Sequence, residues 1–305
     1  MSFDTLERRL RSSLTGEVLR NEPMARHTTY RIGGPAKLFI TCDTVADLAE
    51  AVHLCDEQGV ERVTVGKGSN LLIADTGYPG AIITLGEEFR THRVRGSEIE
   101  TGAACILARV VRDACSHGLG GMEFAVGIPG TVGGAISMNA GTGDTWIGSV
   151  ASWVTVYLPG EGLTRIHGDE IAWAYRASGL PAGAVVVETM LQLAETDRGT
   201  IRSVMDASLE RRKRTQPLGA PSAGSVFRNP PGDSAGRLIE SAGLKGTRLG
   251  GARISMVHAN FIVNEGCARA ADVLGLVRKV QMTVKDTHGI QLTPEIKLLG
   301  TFEDA

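Results

Sequence analysis

Apolar residues along the chain follow two rhythms. Spacings of three and four predict amphipathic helices over 4–20, 45–59, 105–121, 200–216, 234–246 and 268–289. Gly59, the glycines after His117, Gly246 and Gly289 supply the stops. Short runs rich in Val, Ile and Leu predict strands instead. They lie in "VERVTVG", "LLIAD", "GAIITLG" and 184–195, in 27–42 after an opening turn, and at the end of the chain over 290–302. Residues 150–167 predict a β-hairpin around Pro159-Gly160. Helices and strands do not alternate strictly, which favours a mixed α+β architecture over a doubly wound sheet. The pattern changes after Asp197, where a basic helix begins, and that marks the main domain boundary. No internal repeat or low-complexity linker interrupts it.

Composition narrows the classes. The chain has 305 residues, enough for two or three domains. A formal net charge of −2 argues against a nucleic-acid binder that relies on bulk positive charge, while allowing a local basic pocket. The five cysteines include no C-x-x-C pair, so neither a disulfide framework nor structural zinc is expected, and a reducing cytoplasm fits. The N-terminal stretch has no apolar signal core, and no run approaches ~20 apolar residues, so no membrane span is expected.

Glycine changes the picture more. Its 39 residues, about twice ordinary usage, cluster at 33–34, 66–68, 118–121, 127–134 and 141–143. The run Gly66-Lys67-Gly68-Ser69-Asn70 follows an apolar strand and nearly matches G-x-G-x-x-G, but Leu71 stands at the third glycine. A Rossmann turn needs a helix next, to set its N-terminus on a pyrophosphate. Gly77, Pro79 and Gly80 come too soon for one. Walker A fails as well, because no Gly-Lys-Ser/Thr follows. What remains is a strand–loop–strand turn. It is either an ordinary tight turn or a nest of backbone N–H groups for an anion. The second cluster, "GMEFAVGIPGTVGGAISMNAG" over 121–141, holds six glycines yet also Phe124, Val126, Ile128, Val132 and Ile136. A flexible linker lacks that apolar content. A buried loop packed against a large flat ligand would carry it, and the combination suits a cofactor with an apolar ring system and a diphosphate.

These stretches, with "YRIGGPA", "YRASG", "PSAGSVFRNP", "AGLKG" and "LTPEIKLLG", resemble the UDP-N-acetylenolpyruvoylglucosamine reductase family, in the same order and over about 20–302. The resemblance implies an FAD-binding domain of the vanillyl-alcohol-oxidase (PCMH) type in two lobes, plus a C-terminal α+β substrate-binding domain. A helical segment 1–30 would precede the FAD domain 31–197, with lobes of about 31–60 and 61–197. The substrate domain would span 198–305, its final strand returning to the active site. It implies non-covalent FAD, NADPH as co-substrate, a nucleotide-sugar substrate, and a cytoplasmic role in peptidoglycan precursor synthesis. No metal, nucleic acid or membrane partner is implied.

Residue by residue, the resemblance assigns FAD contacts to Arg31, Ile32, Gly33, Gly34, Gly66, Lys67, Gly68, Ser69, Asn70, Gly127, Ile128, Pro129, Gly130, Thr131, Gly133, Gly134, Ser137, Asn139 and Gly141. It implies that Ser225 donates a proton, that Arg176 stabilises an enolate and that Glu295 is a third catalytic residue. Reduction of an enol ether builds negative charge beside a carboxylate, so the site needs a cation or strong donors and one proton source. An ionised Glu295 there would be repulsive, so it either keeps a proton or works tied to Arg176. Alone, Ser225 reads as a turn serine and Arg176 as a surface cation. From the basic run 211–214 Arg214 is the candidate for the uridine diphosphate, with Arg228, Asn229, Lys245, His258 and Asn260 as further substrate contacts. His258 reads equally as a structural histidine. No tyrosine lies between 176 and 305, so the chain matches a shorter subclass without the closing tyrosine. Two rival readings are an oxygen-using FAD oxidase of the same fold and a non-catalytic flavin- or nucleotide-sugar-binding protein.

Overall fold

The computed structural model describes residues 3–302. The chain parts into two compact units, and each is built from several segments. One contains the chain up to Arg20, Leu38–Lys67 and Gly80–Glu210; the other contains Asn21–Lys37, Gly68–Pro79 and the chain from Arg211 on. This division differs from a single cut at 197/198: two short pieces of the N-terminal half pack with the C-terminal residues.

In the first unit, strands Val18–Pro23, Pro35–Cys42, Tyr78–Leu85 and Arg62–Thr64 lie in that order in one sheet. Helices Phe3–Ser13 and Val45–Glu57 cover it, burying Leu6, Leu10, Leu38, Ile40, Leu48 and Ile83. The sequence pattern predicts one helix to residue 20, but it stops at Ser13 and a strand follows. The Thr15 hydroxyl donates to the Asp47 carboxylate at 2.6 Å. Gly16 lies so close to the Thr41 carbonyl that a Cβ would sit 1.9 Å from it. Tertiary bonds therefore override the helical spacing there. Asp47 also completes a capping box with Thr44, which starts the helix Val45–Glu57.

The second sheet of this unit has five antiparallel strands, ordered Gly162–His167, Ala151–Leu158, Val185–Gln192, Glu98–Gly102 and His92–Arg95. The predicted hairpin is present, with Leu158 opposite Gly162. Helices Leu107–Ser116 and Val132–Ser137 join its apolar core around Val110, Val132, Ile136, Val154 and Leu191. Within the stretch 121–141, expected as a buried loop, Val132–Ser137 form a short helix. Thr131 caps it by accepting from the Gly134 N–H, so a short helix forms despite Gly133 and Gly134.

The second unit packs helices Ala235–Ser241 and Ala270–His288 with a three-stranded sheet, Arg248–Leu249, Ala252–Ile254 and Ile262–Asn264. Its core holds Phe227, Leu238, Ile254, Ile262, Val273 and Val277, together with Tyr30 and Leu72 from the early segments. Tyr30 donates its hydroxyl to the Ile262 carbonyl at 2.9 Å. The Asp75 carboxylate accepts from the Ala270 and Ala271 N–H groups at 2.8 and 2.9 Å, anchoring the turn 74–77 on the long helix. The helix expected over 234–246 ends at Ser241, just before Gly243 at φ +72°. The strand expected over 290–302 shrinks to Lys297–Leu299, parallel to Leu71–Ile73. Upstream of it, the backbone of Thr293–Glu295 bonds to 226–228 instead. Among the described residues, no helix is long and apolar enough to cross a membrane.

Candidate active site

Each unit carries one set of candidate residues. In the first, the strand Arg62–Thr64 delivers Gly66 and Lys67, both exposed. A Cβ on Gly66 would lie 2.4 Å from Thr131 Oγ1, so the two glycine-dense turns touch and glycine is required where they meet. Gly133 is equally constrained, with a Cβ falling 2.8 Å from that of Ala103. Gly127 and Gly130 adopt φ +73° and +132°, which other residues reach only with strain. Gly127, Pro129, Gly134 and Ser137 are exposed, while Ile128 and Gly130 are half-buried and Thr131 is buried. The Ser137 hydroxyl turns back to the Gly133 carbonyl at 2.8 Å.

The turn bearing Arg176 is strapped to this loop by three bonds. Asn139 Nδ2 donates to the Ala174 carbonyl at 3.0 Å, Arg176 Nη1 to the Gly141 carbonyl at 3.1 Å, and Ser178 Oγ to the Ser137 carbonyl at 3.1 Å. Asn139 Oδ1 also accepts from the Gly148 N–H at 3.1 Å, so its side chain holds the loop from within. Arg176 and Asn139 both have left-handed backbones, at φ +56° and +43°. Such conformations cost about 1–3 kcal/mol each and collect at functional sites.

In the second unit, Gly33 and Gly34 pack against the chain at 73–75; a Cβ on Gly34 would lie 2.1 Å from the Asp75 carbonyl. Arg31, exposed at φ +56°, projects from this turn, while Ile32 is buried in the core. Gly68, at φ +60°, lies against the His27 carbonyl, and Ser69 and Asn70 are half-buried. As the sequence predicts, no helix follows: Leu71–Ile73 is a strand.

Val226, the residue after Ser225, is bonded to Glu295 through the backbone. The Glu295 N–H donates to the Val226 carbonyl at 2.7 Å and the Arg228 N–H to the Thr293 carbonyl at 2.9 Å. On the other side the Val226 N–H donates to the Asn260 carbonyl at 2.9 Å. Asn260, buried, clasps Phe227 with its amide: Oδ1 accepts from the N–H at 2.9 Å and Nδ2 donates to the carbonyl at 2.8 Å. Asn70 Nδ2 donates to the Glu295 carbonyl at 3.2 Å. The turn that carries Asn70 is thereby bonded to a candidate catalytic residue.

The substrate candidates separate. Arg228 Nε is buried without a hydrogen-bond partner. Asn229 Oδ1 accepts from the Ala235 N–H at 3.0 Å, and Lys245 pairs with Glu240 at 2.8 Å. In the run 211–214, Arg214 is exposed and Arg212 is the buried cation, bonded to Gln216 Oε1 at 3.4 Å. Helical phase could have found it, since three turns separate it from buried Ile201.

His258 Nδ1 accepts from the Asn260 N–H at 3.1 Å, and its ring meets Phe261 edge-on at 5.0 Å. Burial, then the charge of Lys245, hold its pKa below the ordinary value against the pull of Glu240. A folded pKa depressed in a base means that the unfolded chain binds the proton first on acidification. The contribution of His258 to stability is thus present above pH 6.5 and is lost as pH falls through that value. Urea midpoints at pH 7.5 and 5.5 should fall less for His258→Gln than for the parent chain.

Comparison with known proteins agrees with this arrangement. Residues 36–159 match the model of an FAD binding domain, and residues 216–299 match that of the UDP-N-acetylenolpyruvoylglucosamine reductase C-terminal domain. The chain is 45% identical to the UDP-N-acetylenolpyruvoylglucosamine reductase of Heliobacterium modesticaldum, across 93% of this chain and 91% of that one. A second relative, from Symbiobacterium thermophilum, is 43% identical across 96% of each chain. The crystal structure of the reductase from Thermus caldophilus superposes with a TM-score of 0.82 at 38% identity, covering 94% of this chain and all of that one. With full-length relatives at this identity, the chain belongs to the UDP-N-acetylenolpyruvoylglucosamine reductase family.

Proposed function

We propose that the chain reduces UDP-N-acetylenolpyruvoylglucosamine to UDP-N-acetylmuramate with NADPH, using non-covalent FAD, in cytoplasmic peptidoglycan precursor synthesis. The observation that most supports this reading is the backbone bond from the Glu295 N–H to the carbonyl of Val226, the residue after Ser225.

The residues present fit FAD. Gly66 and Thr131 abut where any side chain at 66 would collide, and the faces of Gly66, Lys67, Gly127, Pro129 and Gly134 are open. Lys67 adds exposed positive charge suited to a diphosphate. When bound, FAD supplies hydride chemistry, with NADPH as the electron source. Gly66→Ala should push Thr131 off its cap on Gly134 and weaken FAD retention roughly tenfold, the equivalent of a lost cap of about 1–2 kcal/mol. Flavin fluorescence titration measures it, and unchanged affinity would count against the cradle.

The chain's own groups handle charge and the proton. Arg176 presents a planar fork for the substrate carboxylate and stabilises the enolate that develops beside it. Ser225 gives its hydroxyl proton to the enolate carbon. Glu295, held by the Val226 and Asn70 bonds, acts next to Ser225. Arg228 Nε is the donor this reading gives to the substrate diphosphate. The test is product formation: the nucleotide-sugar should gain a hydride and a proton, with one NADPH consumed per product. NADPH consumption that tracks oxygen rather than the sugar would favour an oxidase.

A further inference from the structure

The stretch 221–225 leading to Ser225 is irregular. Within it Gly224 has φ +75°, and a Cβ there would meet nothing within 4 Å. Ala223, Val226 and Phe227 pack in the core, and hydrogen bonds hold the backbone on either side of Ser225. After it, Val226 and Phe227 are held by Asn260 at 2.9 and 2.8 Å. Before it, the Pro221 carbonyl accepts from the Asn264 N–H at 2.9 Å, and the Ser222 carbonyl accepts from Thr29 Oγ1 at 2.7 Å. Thr29 has a second attachment. Its N–H donates to the Gly68 carbonyl at 3.3 Å. One residue thus ties the turn that carries Gly68 and Asn70 to the carbonyl three positions before Ser225.

We propose that Thr29 is a positioning residue that fixes the Ser225 hydroxyl relative to the cofactor turn. The inference rests on the functional reading above for the roles of Ser225 and Gly68, and it adds the residue that couples them. Proton delivery to carbon tolerates little misplacement, and about 1 Å can cost roughly a hundredfold in rate. Thr29→Val keeps the shape and the N–H bond to Gly68 and removes the hydroxyl, which donates to the Ser222 carbonyl at 2.7 Å and lies 3.5 Å from the Gly68 carbonyl. Thr29→Ser keeps the donor.

Both variants are compared with the parent protein in the FAD-loaded state. Hydrogen–deuterium exchange at 221–226 should rise about fivefold in Thr29→Val, the effect of one net hydrogen bond, while Thr29→Ser stays at the parent level. In stopped-flow, NADPH should bleach the flavin of Thr29→Val at the parent rate. Colour recovery with the enolpyruvyl nucleotide-sugar should slow about tenfold or more, and Thr29→Ser should restore it. Unchanged exchange at 221–226, equal slowing of both half-reactions, failure of serine to rescue, or a Thr29→Val protein that no longer holds FAD would each overturn the proposal. The exchange comparison needs no turnover. A parent protein that holds FAD but ignores the sugar would contradict the functional reading alone, leaving exchange at 221–226 to decide the role of Thr29.

Discussion

Ser225→Ala should leave NADPH able to bleach the flavin at the parent rate and should slow colour recovery with the enolpyruvyl nucleotide-sugar by about 10²–10⁴, the usual worth of a general acid. A serine hydroxyl is a feeble acid, yet a carbanion-like centre is a strong base, so position matters more than acidity. The backbone around Ser225 is held on both sides. Ser225 lies between the Thr29 bond to Ser222 and the Asn260 clasp on Phe227. Alanine removes the proton and leaves those bonds untouched, so FAD retention and thermal stability should hold. Ser225→Cys should recover part of the lost rate, because a thiol also donates a proton. Anaerobic stopped-flow separates the two halves of the cycle. Recovery of Ser225→Ala near the parent rate would remove this residue from the proton path.

The second large effect is a difference between two substitutions. Glu295→Gln should retain far more of the colour-recovery rate than Glu295→Ala. Negative charge grows on the substrate in this step, and an ionised carboxylate beside it would oppose the reaction. A protonated acid donates a hydrogen bond, and the glutamine amide can imitate it. The backbone of Glu295 is bonded to Val226 and Asn70, so either variant keeps the strand in place. A loss on the order of 10² for alanine is the scale of one positioned acid–base group. Equal losses for both variants in single-turnover kinetics would count against a Glu295 that acts as a neutral hydrogen-bond donor.

Much of this could be read in the residues because it depends on local chemistry. Leu71 and the early Gly77-Tyr78-Pro79-Gly80 forbid a helix after Gly66–Asn70, and the strand Leu71–Ile73 stands there. The hairpin about Pro159-Gly160 and the stop at Gly289, φ +69°, follow from turn and cap preferences. What stayed hidden depends on distant partners. The strand Val18–Pro23 exists because Thr15 finds Asp47 and Gly16 lies on Thr41, contacts that no local periodicity encodes. Strands His92–Arg95 and Glu98–Gly102 are short and polar, although alternation about Gly96 was a usable signal. The helix Val132–Ser137 hides in glycines and is started by the single cap at Thr131.

The same holds at the site. Residue types at Arg176, Ser225 and Glu295 suit enolate chemistry once the family is recognised. The side chains of Asn139 and Asn260, by contrast, are taken up by carbonyls and N–H groups far along the chain. An asparagine in a glycine-rich loop gives no sign of whether its amide faces a ligand or clasps its own backbone. Thr29 escapes notice for the same reason, since its partner Ser222 lies 193 residues away.

The central claim is that glycine turns hold a flavin while a C-terminal segment brings a hydroxyl and a carboxyl group to bear on an enol ether. The most direct measurement is the visible spectrum of the FAD-loaded protein under strict exclusion of oxygen. Addition of NADPH should bleach the yellow colour, and addition of UDP-N-acetylenolpyruvoylglucosamine should bring it back with formation of UDP-N-acetylmuramate. A protein that takes up no FAD, or whose bleached flavin recovers only when air is admitted, would contradict the account.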